Sequence, residues 1–329
     1  MERSYKYEKL VFIKLGFVVS VILFVFSCVW VVKIWIIDPY FLDRSVNNIS
    51  SLYYSGSNEV NENLNWAKKF DSLTVENPDI KGWIKIENTV IDYPVLQSEP
   101  ETPIFYLDHD CYKKKNANGS IFINASERFR PNLKNIVLHG HNLRSGRLFG
   151  ALIKYEDLDF YKKSPVIEFN TAYGMSKWKI FSFFKTNTRP DQGEIFDYLR
   201  PKFNNNFDFL EFLYNLKIRS LIDIPVNLTS EDQILTLSTC SYEMKDFRTV
   251  VVARKVREGE SSEVKVELAK KAKNPLWPDG WYRAKNLKKP EIISFHSALS
   301  EGAISWLELA EDRQLKLEPD KKRIKFNFR

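Results

Sequence analysis

The chain has 329 residues, 44% of them apolar, enough to bury a full core and to leave room for extensions beyond one large domain. Its 49 basic and 42 acidic residues give a net charge of +7 that is spread widely, with short clusters such as residues 113–115 and 321–323. This suits an anionic membrane or wall surface and is too diffuse for a nucleic-acid footprint. Three cysteines, Cys28, Cys111 and Cys240, are too few for a disulfide framework and have no C-x-x-C spacing, so neither a metal nor a cofactor is expected.

Residues 15–32 carry no charge and lie between Lys14 and Lys33, a run long enough to span a bilayer. Arg3, Lys6, Lys9 and Lys14 precede it, and such cations hold a short tail in the cytoplasm, which places the bulk of the chain outside. A cleaved signal peptide would also begin basic and continue apolar. Here no small-x-small site follows, no alanine occurs before Ala67, and Trp30, Trp35, Ile36, Ile37 and Tyr40 resemble an interfacial belt. The segment therefore reads as an uncleaved signal anchor over residues 1–37. Cys28 lies too deep in the run, among bulky neighbours, to be a lipoprotein site.

Residues 44–57, rich in Ser, Asn and Tyr, read as a stalk or turn. Residues 58–75 follow with Leu64, Ala67, Phe70 and Leu73 at three-residue spacing, a helical stripe closed by Pro78. From Gly82 onward short apolar runs dominate, at residues 83–86, 90–93, 120–123, 136–138, 166–169, 178–183, 234–237 and 249–253. Their brevity and the polar turns between them predict a mainly β domain, a barrel or a sandwich. One stretch, 191–227, breaks the series with Ile195, Phe196, Leu199, Phe209, Leu210, Phe212 and Leu213 in a helix-like arrangement. The tail 259–329 mixes Lys and Glu with Trp277, Trp281 and Trp306, which argues against full disorder. It predicts a helix over 303–317 and a small accessory unit of unknown role packed on the barrel.

The chemistry gathers at strand boundaries. Ile234-Leu-Thr-Leu-Ser-Thr-Cys240-Ser-Tyr-Glu sets a lone cysteine between two strand-like runs, with Arg248 opening the second. A thiol attacks only as thiolate and needs a base or a positive field nearby. Asn135-Ile-Val-Leu-His-Gly-His141-Asn-Leu offers that base, with His139 and His141 two residues apart and on one face if the strand continues. Arg248 reads either as a cation at a barrel rim or as a charged fork able to hold a carbonyl oxygen. Tyr242 and Glu243, just past the cysteine, read equally as substrate contacts or as surface-loop residues. His109 and His296 lack catalytic context, and Cys111 sits in a polar stretch that offers no activating partner.

These segments resemble the active-site segments of the sortases, the cell-wall cysteine transpeptidases of Gram-positive bacteria. Thr236-Leu-Ser-Thr-Cys240, Gly140-His141-Asn142 and Arg248 before a Val-rich strand carry the resemblance. Within that family Asn77-Pro-Asp-Ile-Lys-Gly-Trp83-Ile-Lys-Ile, Ile91-Asp-Tyr-Pro-Val-Leu-Gln97 and Gly119-Ser-Ile-Phe-Ile-Asn124 are similar to class B. The match runs from about residue 77 to 257. The resemblance implies a closed sortase-type β-barrel over 79–258. An N-terminal helix within 38–78 packs on it, and an inserted helix before the cysteine-bearing strand walls Cys240.

It also implies Cys240 as nucleophile, His141 rather than His139 as acid and base, and Arg248 at the oxyanion, with Tyr242, Glu243, Thr239 and Asn142 binding substrate. Relatives often carry tyrosine where this chain has His139, which makes His139 a pocket residue. The partners implied are surface proteins or pilins bearing a sorting signal, an amine of a peptidoglycan precursor or pilin, and membrane lipid. A membrane-anchored cysteine peptidase with water as acceptor, and a non-catalytic wall-binding barrel, are the competing readings.

Overall fold

The computed structural model describes residues 2–55, 62–125 and 127–308. Helix α1 (Glu2–Val32), a π-helical turn (Lys33–Ile37) and α2 (Asp38–Tyr54) follow one another without a break. Pro39 explains the π turn. Its ring clashes with the carbonyl four residues back, and widening the helix lets Asp38 N–H bond to Lys33 O, five residues away. The same spacing brings Lys33 Nζ to the Asp38 carboxylate at 2.7 Å. The apolar stretch within residues 12–54 is long and apolar enough to cross a membrane, and the span is not buried by the rest of the protein.

The stalk expected over 44–57 is instead helical as far as Tyr54. The Ser and Asn content hid a three-and-four repeat: Leu42, Ser45, Ile49 and Tyr53 are all buried, while Asn47, Asn48 and Ser51 face water. Arg147 grips Asp43 with two bonds of 2.7 and 2.8 Å, and Asn116 Nδ2 donates to Asp38 O at 3.0 Å. Tyr53 stacks on Trp83 with ring centroids 4.2 Å apart and accepts a hydrogen bond from Asn170. Helix α3 (Glu62–Glu76) bears out the predicted stripe in its described part, where Phe70 and Leu73 bury against Ile49 and Tyr53; residues 58–61 lie outside the described part.

Eight strands close into a barrel: β1 (Ile80–Lys85), β2 (Asp92–Leu96), β3 (Ile121–Ile123), β4 (Asn135–His139), β5 (Val166–Thr171), β6 (Lys177–Thr186), β8 (Ile234–Ser241) and β9 (Phe247–Lys255). Each apolar run expected to be a strand contributes to one, although the run 90–93 does so only from Asp92, with Val90 exposed in the turn before it. The order round the barrel is β1-β2-β3-β4-β8-β9-β6-β5, with β2–β3 and β4–β8 parallel. Since β4 and β8 run together and β9 and β6 alternate beside them, β4, β6 and β8 finish and β9 begins at one common end. Helix α4 (Leu158–Lys163) and the 3-10 segment Phe149–Glu156 link β4 to β5.

Helix α5 (Asn206–Arg219) is the inserted helix, with Phe209, Leu210, Phe212 and Leu213 buried. It packs on β6 and does not itself wall Cys240. Asn205 caps it by accepting from Asp208 N–H, and in the turn that precedes the helix Tyr198 and Leu199 reach the groove beside the cysteine. Beyond β9 the chain stays on the barrel. Strand β10 (Lys270–Lys271) pairs with β7 (Ile222–Asp223), α6 (Asp279–Lys285) lies against residues 190–192, and α7 (Phe295–Ser300) sets Phe295 against Phe207 and Tyr214. The helix expected over 303–317 does not form in its described part. Ser294 caps a helix that starts at 295, and residues 303–308 are a turn with a bridge from Leu307 to Leu228; residues 309–317 lie outside the described part.

Arg254 on β9 is almost fully buried and is neutralised by Glu260, through bonds of 2.6 and 2.7 Å, with Lys179 on the same carboxylate at 2.6 Å. Arg254 first, and Lys179 after it, hold the Glu260 carboxyl well below the usual carboxylate range. A depressed acid stabilises the fold above its unfolded pKa and loses that contribution as pH falls through the folded value. Glu260→Gln leaves a buried guanidinium without its counter-charge and is expected to cost about 3 kcal/mol near neutral pH. The gap to wild type should narrow below about pH 4. Urea unfolding at the two pH values checks this, and equal gaps at both would contradict it.

Candidate active site

Cys240 is the penultimate residue of β8, and alternation along the strand buries Thr239 and Ser241 while turning Cys240 outward. Across the antiparallel ladder Cys240 sits directly opposite Arg248. On the other side β4 pairs in parallel with β8, with His139 level with Ser238, which carries Gly140 and His141 alongside Thr239 and Cys240. Two hydrogen bonds lock this junction. Thr239 Oγ1 donates to Gly140 O at 2.7 Å, and Asn142 Nδ2 donates to Cys240 O at 2.8 Å.

His141 Nε2 lies 2.8 Å from Leu107 O. A carbonyl only accepts, so Nε2 carries the proton and Nδ1 is the atom left to exchange one. Gly119 makes room for that carbonyl: its φ is +62°, and any Cβ there would collide with Leu107 O. His139 is partly buried where the groove meets the barrel, and desolvation first and the Arg248 charge second push its imidazole down to about 4, so it is neutral at physiological pH.

Arg248 spends Nη1 on the carbonyls of Asp246 and Phe247, at 3.3 and 3.0 Å. Its Nη2 has no protein hydrogen-bond partner among the described residues, so part of the fork is available to a ligand. The loop between β8 and β9 is held from below. Glu243 accepts from Ser241 Oγ and pairs with Lys185, which is itself buried between Glu243 and Glu156. Burial, opposed by Glu156, draws the Lys185 pKa down.

Cys240, Thr239, His141 and Arg248 all line one groove of about 440 Å³, whose apolar walls come from Ile104, Leu107, Phe122 and Leu199. That suits an extended peptide with an apolar side chain. The other residues expected to bind substrate stand outside it. Asn142 fixes the Cys240 carbonyl, Tyr242 Oη donates to Asn142 O while its ring is exposed, and Glu243 points into the Lys185 network. Reading the sequence missed Lys185, which looks like one more strand lysine. It also missed Leu107, whose contribution is a backbone carbonyl. Ile104 and Leu199 carry no motif, although Leu199 lay within the stretch expected beside Cys240. Among the described residues no group of three His, Cys, Asp or Glu side chains could hold a metal ion.

Cys111 departs from its polar surroundings. Its side chain is 2% exposed, tucked into the cluster of Ile49, Phe70 and Leu73, and burial pushes the thiol up to about 12. His109 stacks on Phe105 at 3.9 Å, and His296 is exposed on α7.

A family model described as "Sortase domain" matches residues 84–256. Over 195 residues the chain is 38% identical to sortase B of Staphylococcus aureus, covering 57% of this chain and 75% of that protein. Among solved structures, the Staphylococcus aureus sortase B-substrate complex superposes with a TM-score of 0.57 at 32% identity, covering 67% of this chain and 96% of that one. Sortase B complexed with triglycine gives a TM-score of 0.56 at 32% identity, covering 67% and 97%.

An alkylating reagent applied to the folded protein should modify Cys240 and leave Cys111 untouched until denaturant is added, as read by peptide mass spectrometry. Comparable labelling of both under native conditions would mean that the burial of Cys111 described above is wrong.

Proposed function

Because this chain belongs to the sortase family and its relatives are sortase B enzymes, which are cysteine transpeptidases, we propose that Cys240 cleaves a C-terminal sorting signal and hands the acyl group to an amine. The observation that carries this reading is the register of β8 with β9. It sets Cys240 against Arg248 while β4 delivers His141 to the same end.

In the first step the Cys240 thiol passes its proton to His141 Nδ1, and the thiolate bonds to the scissile carbonyl carbon, at a Thr-Gly bond or one like it, as the carbonyl electrons move onto oxygen. Arg248 is placed to hold that oxyanion through its uncommitted donors. The C–N bond then breaks as His141 Nδ1 gives its proton to the departing amine, leaving a thioester. In the second step an amine attacks the thioester, His141 takes its proton, and the thiolate leaves with a new amide formed. The neutral state of His139 keeps a second positive charge away from this exchange, and its ring lines the groove.

Two relatives support the partners: sortase B of Staphylococcus aureus forms a complex with substrate, and a sortase B forms one with triglycine. For this chain the donors are surface proteins or pilins bearing a sorting signal. The acceptor is an amine of a peptidoglycan precursor or of a pilin. The apolar span of α1 is the anchor, with residues 1–37 as cytoplasmic tail and span, and the barrel 79–258 as the catalytic unit outside the cell.

Arg248→Lys should fold and lose about two orders of magnitude in turnover, since an ammonium keeps charge without the fork. Arg248→Ala should lose more, and Cys240→Ala should form no thioester at all. Fluorogenic peptide cleavage by the three variants, with circular dichroism as the folding control, checks this. Near-normal turnover by Arg248→Ala would move the oxyanion to backbone amides beside Cys240.

A further inference from the structure

The positive charge that looks diffuse along the chain is concentrated in space. Residues 270–290 hold seven Lys or Arg against one carboxylate, Asp279, a net +6 out of +7 for the whole protein. All seven cationic side chains are exposed. Lys289 pairs with Asp279 at 2.8 Å and Lys270 with Asp223 at 3.5 Å. Arg283, Lys285 and Lys288 have no carboxylate within ion-pairing distance among the described residues. Beside them Leu287 is 57% exposed, and Ile292 and Ile293 follow, also exposed. The segment is nevertheless firmly built: Trp277 and Trp281 stack at 4.2 Å, and Lys285 lies over Trp281 at 5.2 Å.

Its position gives the cluster a meaning. Arg283 Nη2 donates to Asp191 O at 2.6 Å, and the neighbouring Gln192 donates to Lys245 O at 2.9 Å, in the loop between β8 and β9. The basic segment therefore sits at the end of the barrel that carries Cys240. The apolar helix arrives at that same end. Asn116, from the loop before β3, and Arg147, from the loop after β4, hold the first turns of α2, and Leu107, at the start of the former loop, touches His141. From Val32, the last residue of the uncharged run, to Asp38 the helix rises about 9 Å. A bilayer crossed by α1 would lie close beneath this end.

We infer that residues 270–290 form a second membrane contact, binding anionic phospholipid headgroups through Arg283, Lys285 and Lys288 with Leu287 at the acyl boundary, and that this contact turns the Cys240 groove toward the bilayer. Cations clustered beside exposed aliphatic side chains suit an anionic leaflet, because the charge is drawn to the headgroups while the aliphatic groups leave water. The anchor makes the second contact effectively intramolecular, so a weak affinity suffices. The inference rests on α1 spanning the membrane and not on the acyl-transfer chemistry.

The test uses the full chain in nanodiscs of phosphatidylcholine alone or of phosphatidylcholine mixed with phosphatidylglycerol, read by hydrogen–deuterium exchange of peptides covering 279–293. The expected result is exchange slower by at least about threefold in the anionic discs, reversed by high salt and by the double variant Lys285→Gln/Lys288→Gln. Both of those side chains are on the surface, and peptide cleavage in detergent should be unchanged in the variant. Equal exchange in the two lipids would overturn the inference. So would protection by short-chain polyphosphate in neutral discs without protection by anionic lipid, because the site would then belong to a soluble polyanion. A chain that fails to enter the discs would overturn the anchor reading and this inference with it, while leaving the chemistry of Cys240 standing.

Discussion

The pairing of β8 between β4 and β9 is the constraint on which the site depends. A strand with neighbours on both sides has its register fixed twice, and a one-residue slip would turn Cys240 into the wall and Thr239 outward. The parallel β4–β8 ladder brings His141 to the cysteine end, and the antiparallel β8–β9 ladder brings Arg248 there. The proposed catalytic set is thus brought together by backbone geometry, with Asn142 and Thr239 closing the last gaps between the two parallel strands.

Around that frame the protein manages buried charge in two ways. Arg254 is neutralised by Glu260 in a turn beyond β9, a purely structural arrangement far along the strand from Arg248. Lys185 is neutralised by Glu156 and Glu243, and this second arrangement reaches the loop that follows Cys240. A buried ammonium without partners would be costly, so the carboxylate of Glu243 is held inward, and with it the start of the loop between Cys240 and Arg248. The fixed loop in turn limits where the Arg248 fork can point.

Much of this was legible in the sequence. The eight strands stood out because each is a short apolar run ended by turn residues, and the span stood out because a long uncharged run has few soluble uses. Cys240, His141 and Arg248 were legible through motifs lying at strand ends. Helix α2 was not, because its Ser and Asn content outweighed a periodic face of only a few apolar residues. Cys111 misled for a related reason: its polar neighbours in sequence say nothing of the hydrophobic cluster that packs over it. The carbonyl of Leu107 could not be found, since a backbone atom leaves no residue signature. The basic segment was masked by averaging, because acidic and basic residues nearly cancel over the rest of the chain.

The central claim is that Cys240 carries the acyl group and an amine removes it. Intact-mass and peptide mass spectrometry of the full chain in detergent, incubated with a sorting-signal peptide library built around a Thr-Gly bond, tests it most directly. The account predicts an acyl adduct on the peptide containing Cys240 that disappears when triglycine is added, with the triglycine amide appearing in its place. An adduct on another residue, or a hydrolysed product whose yield and rate triglycine does not change, would contradict it.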